Sequence, residues 1–223
     1  MNVFITGGTG FIGRHLVFRL AGTGGRITVL TRSTRGADMF PPDVTVVEGD
    51  PTRPGPWQKA VEGRDAIINL AGTSIFRRWT GEAKRQIRES RISTTRNIVD
   101  AMLAAGAERA TLFSASAVGY YGFHGDEELT EASGPGDDFL ALVARDWEKE
   151  ALRAERPQRT NVIDTPHRAG DIPGSQVYGS QPAPTDGVRV VIPRFGIVLG
   201  RSGGAMAVLE QVFRLFLGGP LGH

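Results

Sequence analysis

A glycine-rich run that directly follows a short apolar segment constrains the fold of this chain more than any other feature. Residues 2–5 have the apolar character of a buried strand, and an amphipathic helix pattern begins at residue 11. Between them, Gly7 permits a tight turn, Gly10 has no Cβ to obstruct an anion, and Gly13 lets the helix pack closely on the strand. An ordinary glycine turn is the alternative. In this context the run predicts a dinucleotide-binding loop, with contacts from Gly7, Gly10, Phe11, Ile12 and Gly13.

Short apolar runs alternate with helical patterns over most of the chain. Such runs are typical of strands that are covered on both faces of a parallel sheet, and the helices between them are typical of crossover connections. The predicted strands cover residues 2–5, 26–30, 44–50, 65–72, 110–114 and 188–192, and the predicted helices cover 57–62, 81–105 and 137–153. This order predicts an α/β fold with a doubly wound parallel sheet of the Rossmann type, which binds its ligand at the carboxyl ends of the strands.

Composition argues against several classes of function. The 223 residues carry a formal net charge of +2 and include no cysteine. Basic residues do not form runs interleaved with aromatic residues, so nucleic acid is not expected as a partner. Without cysteine there are no disulfides and no thiolate chemistry. No apolar run approaches the roughly 18 residues of a membrane span, and Met1 leads directly into the first predicted strand, so we expect a cytoplasmic protein that does not enter a membrane.

Two segments interrupt the alternation of strands and helices. Residues 156–187 are rich in proline and glycine and show no sustained periodicity, which predicts an irregular insertion that is either disordered or a substrate lid. Residues 204–217 carry an apolar helix face that needs a partner to pack on. We therefore expect this helix to drive the formation of a homodimer, or aggregation.

The end of the second predicted strand bears on the choice of dinucleotide. In dinucleotide folds an acidic residue about 20 positions beyond the glycines accepts hydrogen bonds from a ribose hydroxyl, whereas an arginine there accommodates a 2′-phosphate. Residues 30–33 include no carboxylate, while Arg32 offers a forked pair of donors and Thr31 a hydroxyl. These residues predict NADP as the cofactor, unless Arg32 is simply a solvated residue after the strand.

Several short motifs together resemble the extended short-chain dehydrogenase/reductase superfamily, and within it the epimerase-like, NADP-linked branch of largely unassigned substrate. Besides the glycine-rich run, the matching segments are residues 69–72, 78–80, 90–92 with Thr95, 114–122, 145–148, 194–200 and 203–205. Members of this branch usually continue into a further substrate-binding region. The resemblance therefore implies an NAD(P)-binding Rossmann domain over residues 1–200 and the start of a truncated substrate-binding region over residues 201–223.

The resemblance also implies further cofactor contacts. Asp50 follows the third predicted strand, where the superfamily's aspartate meets the adenine amino group; the alternative is an aspartate that caps its loop. Arg91 occupies a position where many relatives have an asparagine, so it either faces the anion of a cofactor or substrate or lies on the helix surface. The end of the fourth predicted strand adds Leu70, Ala71 and Gly72.

The catalytic pair that the resemblance implies is missing. Most superfamily members use a tyrosine as acid/base with a lysine four residues later, whose ammonium lowers the tyrosine pKa. None of the three tyrosines here has a lysine at that spacing, and Leu140 and Ala144 are expected near the place of the pair. What remains is Ser116, either a hydrogen-bond donor to the substrate or a turn serine, and Tyr121, either a surrogate acid or a packed residue whose hydroxyl is tied down.

Taken together, the residues predict an NADP-dependent oxidoreductase or epimerase-like enzyme. Its substrate is expected to be a small molecule with a carbonyl or hydroxyl group, including nucleotide-sugar-like molecules. The alternative is a non-catalytic NADP(H)-binding sensor or interaction protein, because the usual proton donor is missing. The acidic residues of the segment 126–131 lack histidine or cysteine at ligand spacing, so no metal site is expected.

Overall fold

The computed structural model describes residues 1–35, 37–107, 109–155, 187–200 and 203–215. The strands are β1 (Asn2–Thr6), β2 (Arg26–Thr31), β3 (Thr45–Glu48), β4 (Ala66–Asn69), β5 (Thr111–Ser114), β6 (Ser116–Ala117), β7 (Arg189–Val191), β8 (Arg194–Phe195) and β9 (Leu199–Gly200). The α-helices are α1 (Phe11–Ala21), α2 (Gly81–Ala104), α3 (Phe139–Leu152) and α4 (Gly204–Arg214).

Six of these strands form one parallel sheet in the order β3-β2-β1-β4-β5-β7. Every neighbouring pair is parallel, and in the centre Ile5 of β1 is in register with Val29 of β2 and Ile68 of β4. The order reverses between β1 and β4, which is the arrangement of a doubly wound sheet with its ligand crevice at the switch point. The predicted fold class is confirmed.

The sheet is covered on both faces by apolar side chains. On one face Phe4 and Ile67 pack in a cluster with Ile98 and Met102 of α2. The other face forms a second cluster that includes Val17 of α1. Since both faces of the strands are buried, the strands read as continuous apolar runs in the sequence, as is typical of parallel sheets.

Polar caps fix where the two long helices begin. Thr80 Oγ1 accepts a hydrogen bond from Ala83 N at the start of α2 over 3.2 Å. Asp138 Oδ1 accepts hydrogen bonds at the start of α3 from Leu140 N over 2.7 Å and from Ala141 N over 3.0 Å. These caps satisfy amide groups that have no acceptor within the helix, and the cap at Asp138 sets the position of the α3 residues described below.

Some boundaries differ from the sequence predictions. The segment predicted as a helix at 57–62 is a 3-10 helix, Pro56–Val61, and the two-residue strands β6, β8 and β9 were not predicted. The predicted insertion at 156–187 lies outside the described residues, apart from Gly187. The predicted helix at 204–217 is present over the range of α4, with Phe213 61% exposed. Among the described residues no helix is long and apolar enough to span a membrane.

Candidate functional site

The glycine-rich loop folds as a tight turn that only glycine fits at two of its positions. Gly7 has a φ of +72°, and a Cβ there would lie 2.6 Å from the carbonyl carbon of Leu70. A Cβ on Gly13 would lie 2.1 Å from the carbonyl oxygen of Gly7, so α1 approaches β1 only because Gly13 has no side chain. A Cβ on Gly10 would have one described neighbour outside its own helix within 4 Å, Gly7 O at 3.1 Å. This distance is shorter than an ordinary van der Waals contact, and Gly10 also lines the cleft described next.

A cleft of about 450 Å³ extends from this loop along the carboxyl ends of β1, β4 and β5. Its walls come from the start of α1, the loop after β4, the segment after β5, the helix α3 and the loop after β8. Most of the predicted site residues line it, namely Gly7, Gly10, Phe11, Ile12, Gly13, Leu70, Gly72, Arg91 and Ser116. The others, Thr31, Arg32, Asp50, Ala71 and Tyr121, are not part of its lining.

The ring of Phe11 at the start of α1 lies against a glycine hairpin. The hairpin joins β9 to α4 through bridges between residues 199 and 204 and between 200 and 203. A Cβ on Gly200 would lie 2.5 Å from Cζ of Phe11, and a Cβ on Gly203 would lie 2.7 Å from its Cδ2. The glycines at these two positions therefore make room for an aromatic ring, a role that the sequence analysis did not assign to them.

Arg91 brings a positive charge to the cleft beside the loop that follows β4. Its Nη1 donates to Thr73 O and to Ile87 O, each over 3.0 Å, and its Cζ lies 5.4 Å from the ring centroid of Trp147. A Cβ on Gly72 would lie 3.2 Å from the same Cζ. Burial lowers the pKa of Arg91, and within the described part of the chain no carboxylate forms an ion pair with it. Such a buried cation has the chemistry to hold an anionic ligand.

At the end of β2, polar side chains shape an exposed turn. Thr31 Oγ1 donates to Ser33 O over 3.0 Å, and the side chain of Arg32 is exposed. Glu48 of β3 accepts a hydrogen bond from Thr34 Oγ1 over 3.3 Å. A carboxylate from the neighbouring strand therefore lies beside this turn, although the turn itself contains none.

Asp50, after β3, caps its own loop. Its Oδ1 accepts hydrogen bonds from Thr52 N over 3.0 Å and from Thr52 Oγ1 over 2.7 Å. Burial raises the pKa of Asp50, but these hydrogen bonds and the positive charges of Arg32 and Arg53 outweigh burial and hold the pKa below its ordinary value. The loop-capping alternative is therefore realised, and Asp50 and Arg32 lie within electrostatic range of each other.

Ser116 belongs to a cluster of polar side chains at the far end of the cleft. It is 3% exposed, and its hydroxyl donates to Glu148 Oε1 over 2.6 Å. Arg194 donates to both oxygens of Glu148, from Nε to Oε1 and from Nη2 to Oε2, each over 2.9 Å. The hydrogen bond and charge of Glu148 raise the pKa of Arg194 against the opposing effect of burial. A hydroxyl has one hydrogen, so with that hydrogen donated to Glu148 the oxygen of Ser116 keeps only lone pairs for a further partner. The expected role of Ser116 as a hydrogen-bond donor to the substrate stays a prediction.

Tyr121 is tied to the same cluster from outside the cleft. Its hydroxyl oxygen accepts a hydrogen bond from Arg194 Nη1 over 2.8 Å, and the guanidinium of Arg194 lies 3.6 Å from the ring centroid of Tyr120. The placement fits the alternative of a packed residue with its hydroxyl tied down. A role of Tyr121 as a surrogate acid stays a prediction.

The helix α3 presents an apolar wall at the place expected for the missing tyrosine and lysine. Leu140 and Ala144 both line the cleft, as does Trp147. The indole N–H of Trp147 does not reach the cleft, because it donates to Thr95 Oγ1 over 2.7 Å. The described part of α3 thus offers the cleft no acid, base or cation.

A buried polar network connects this wall to the sheet. Asn69, at the end of β4, accepts a hydrogen bond from Thr6 Oγ1 over 2.8 Å and donates to Thr95 Oγ1 over 2.8 Å and to Ser114 Oγ over 3.3 Å. Thr95 also accepts the hydrogen bond from Trp147. Because these buried side chains supply one another's hydrogen-bond partners, the network holds β1, β4, β5, α2 and α3 in a fixed relation around the cleft.

Sequence reasoning missed Glu148 and Arg194 as site residues. Both lie in segments that the sequence analysis marked as motifs, 145–148 and 194–200, so a signal was present. The motifs did not indicate that the two residues pair, however. A glutamate on a helix and an arginine after a strand look like ordinary surface residues in a sequence until the fold brings them together.

The parallel sheet, the glycine-rich loop and the cleft at the strand ends define a dinucleotide-binding Rossmann domain. The model of the NAD dependent epimerase/dehydratase family matches residues 3–138, and the chain belongs to this family.

Individual relatives are similar over nearly all of this chain. It is 38% identical to the epimerase family protein SDR39U1 homolog, chloroplastic, from Arabidopsis thaliana, and covers 56% of that protein. The crystal structure of the human epimerase family protein SDR39U1 (isoform 2) with NADPH is similar at a TM-score of 0.66 and 29% identity, over 99% of this chain and 62% of that one. The crystal structure of the nucleoside-diphosphate sugar epimerase from Corynebacterium glutamicum is similar at a TM-score of 0.69 and 31% identity. The match covers 100% of this chain and 39% of that one. The chain thus spans less than two thirds of each.

Proposed function

We propose that this chain binds NADP(H) in the cleft and acts as an NADP-linked oxidoreductase or epimerase-like enzyme on a small molecule with a hydroxyl or carbonyl group. The observation that carries this proposal is the continuity of the cleft, which runs from the glycine-rich loop to the buried hydroxyl of Ser116. Similarity to the human protein whose structure contains NADPH supports the choice of cofactor.

The residues around the glycine-rich loop fit a dinucleotide. The part of the cleft beside Gly10 suits a diphosphate, and the first amide groups of α1, including those of Phe11 and Ile12, have no acceptor within their helix. Arg91 adds a buried positive charge on the opposite side of the loop after β4. When bound, the nicotinamide would supply hydride transfer to or from a carbon of the substrate.

At the other end of the cleft, Ser116 is the residue placed to contact the substrate oxygen. Glu148 orients the hydroxyl of Ser116, and Arg194 keeps the carboxylate of Glu148 in place through two hydrogen bonds. This arrangement gives Ser116 Oγ a defined orientation without the tyrosine and lysine of the wider superfamily.

A non-catalytic NADP(H) sensor is the second candidate, and the apolar side chains at Leu140 and Ala144 favour it. The two functions differ in what happens after the cofactor binds. Single-turnover absorbance at 340 nm, with the protein loaded with NADPH or NADP⁺ and offered panels of carbonyl compounds and alcohols, separates them. Cofactor binding without any change in absorbance across both panels would favour the sensor.

We expect NADPH to bind at least about tenfold more tightly than NADH, because the exposed guanidinium of Arg32 would pair with a 2′-phosphate. A tenfold ratio corresponds to about 1.4 kcal/mol, within the range of one charge-assisted hydrogen bond. Calorimetric titration of the wild type and Arg32→Ala with both cofactors measures the ratio, and Arg53→Ala is the matched control from the other side of Asp50. Equal affinities in the wild type would contradict the prediction.

We also propose that the chain forms a homodimer through α4. Phe213 is 61% exposed on this helix, and Met206 and Val212 are exposed with it. Burial of such a face contributes several kcal/mol at roughly 25 cal/mol per Å², enough for association at micromolar concentration. Light scattering should give a dimer, or larger species, for the wild type and a monomer for Phe213→Glu. A wild-type monomer at high concentration would rule out this interface.

A further inference from the structure

The part of the cleft beyond the glycine-rich loop is lined mainly by apolar side chains. On α3 the wall consists of Leu140, Val143, Ala144 and Trp147. The nitrogen of the indole points away from the cleft, since its hydrogen is donated to Thr95. What this side of the cleft offers a ligand is therefore aliphatic and aromatic surface.

The facing side is apolar as well. Val118 and Ile197 border the cleft and are exposed at its mouth, where they are 49% and 74% exposed, and Phe195 lies deeper. Among the described lining residues Arg91 is the one charged side chain, and it lies against Gly72 at the end of the cleft nearest the glycine-rich loop. Glu148 and Arg194, beside Ser116, pair with each other outside the lining, so Arg91, which also lies against the ring of Trp147, is the one charged side chain of the described lining that could hold a diphosphate.

Ser116 Oγ belongs to one of four described lining residues with a hydroxyl or charged side chain, the others being Thr73, Ser74 and Arg91. The hydrogen of Ser116 Oγ is donated to Glu148, and the carboxylate of Glu148 stays an acceptor because Arg194 donates to both of its oxygens. Ser116 Oγ therefore has lone pairs left for a ligand and no hydrogen. A lone pair accepts a hydrogen bond from a hydroxyl group, whereas a carbonyl oxygen has no hydrogen to donate to it.

From these walls and this acceptor we propose that the substrate half of the cleft binds an apolar secondary alcohol, whose hydroxyl donates to Ser116 Oγ. The inference rests on the proposed function and narrows its substrate class away from nucleotide sugars. Glu148 acts here as a positioning residue, since it decides which way the hydrogen of Ser116 points.

A matched pair of ligands tests whether Ser116 Oγ accepts a hydrogen bond from the ligand or donates one to it. Calorimetric titration uses 1-tetralol and 1-tetralone, which share one apolar frame and differ in the hydroxyl or carbonyl, with UDP-glucose as the polar probe. Each is titrated into the free protein and into the protein saturated with NADP⁺. We expect 1-tetralol to bind about fivefold or more tightly than 1-tetralone, and UDP-glucose not to compete. Tighter binding of the ketone, or competition by UDP-glucose, would overturn the proposal.

Two variants locate the binding. Ser116→Ala should remove the preference for the alcohol, while Ser133→Ala, at a serine outside the cleft lining, should retain it. Leu140→Asp should weaken the binding of both 1-tetralol and 1-tetralone about tenfold or more, because it places a charge in the apolar wall. The variant should still fold, since an acidic residue is tolerated in the first turn of a helix such as α3. Leu142→Asp, on the exposed side of the same helix, should leave binding unchanged.

Separate readouts keep the two proposals apart. Titration with NADPH alone tests the proposed function, so an absence of NADPH binding contradicts that function. If NADPH binds and 1-tetralol does not, or if Leu140→Asp and Leu142→Asp have equal effects, the substrate inference is wrong while the cofactor proposal stands.

Discussion

Replacing Glu148 with alanine is expected to lower the free energy of unfolding by about 3–5 kcal/mol, the usual cost of removing one partner from a buried ion pair. The side chains of Glu148 and Arg194 are only 10% and 19% exposed, so little solvent is available to replace the lost carboxylate. Arg194 would be left as a buried cation, held by Tyr121 and the ring of Tyr120 but without a counter-charge.

Urea unfolding followed by circular dichroism measures this change. Asp146→Ala is the matched control, because Asp146 is a carboxylate on the same helix whose partners, Arg88 and Arg145, are about half exposed. Such a surface pair contributes about 0–1 kcal/mol. Tyr121→Phe removes one hydrogen bond to Arg194 while the ion pair is kept, and should cost about 0.5–1.5 kcal/mol. Equal losses for Glu148→Ala and Asp146→Ala would show that the buried pair behaves as a surface pair.

Replacing Gly10 with valine is expected to weaken the binding of both NADPH and NADH by about a hundredfold or more. A Cβ at this position would have one close neighbour, Gly7 O at 3.1 Å, and a valine side chain would add carbon atoms to the part of the cleft that the diphosphate is proposed to fill. Folding should be affected much less than binding. Gly10 is the N-cap of α1 without any side-chain hydrogen bond, and the loss of a good N-cap residue costs on the order of 1 kcal/mol.

Calorimetric titration and an unfolding curve, carried out on the same preparation, separate the two effects. Gly81→Val is the control, because Gly81 lies at the start of α2 with no described neighbour within 4 Å of an added Cβ. If Gly10→Val keeps its affinity for NADPH while it folds normally, the diphosphate does not lie beside Gly10 and the cleft has been assigned to the wrong ligand.

The main sheet could be predicted because its strands are buried on both faces, which leaves an apolar run in the sequence for each of them. The same reasoning fails for β6 and β8, since a strand of two residues has no period to detect. At 57–62 the pattern predicts a helix, but the segment is a 3-10 helix with Pro56 at its start and the side chain of Trp57 packed on Phe4. Tertiary packing decided the form of that turn.

Prediction of the site succeeded where its chemistry is local in sequence. The glycines of the first loop each have a role that strand, turn and helix already imply, and the lack of the tyrosine and lysine pair is visible by counting. Glu148 and Arg194 are 46 positions apart, and nothing near either residue indicates the other. The orientation of the Ser116 hydroxyl depends on this pair, so its hydrogen bond to Glu148 could not be predicted before the fold was known.

The packing of Phe11 against the glycine hairpin has a consequence for the order of folding. Phe11 opens the first helix, yet the backbone it rests on, at Gly200 and Gly203, comes from the far end of the described chain. Because synthesis runs from the N-terminus, the ring has no such surface until residue 203 has left the ribosome. Contacts of this span also raise the contact order and slow folding. The dinucleotide loop therefore cannot complete its packing until a segment nearly 190 residues further along the chain has been made.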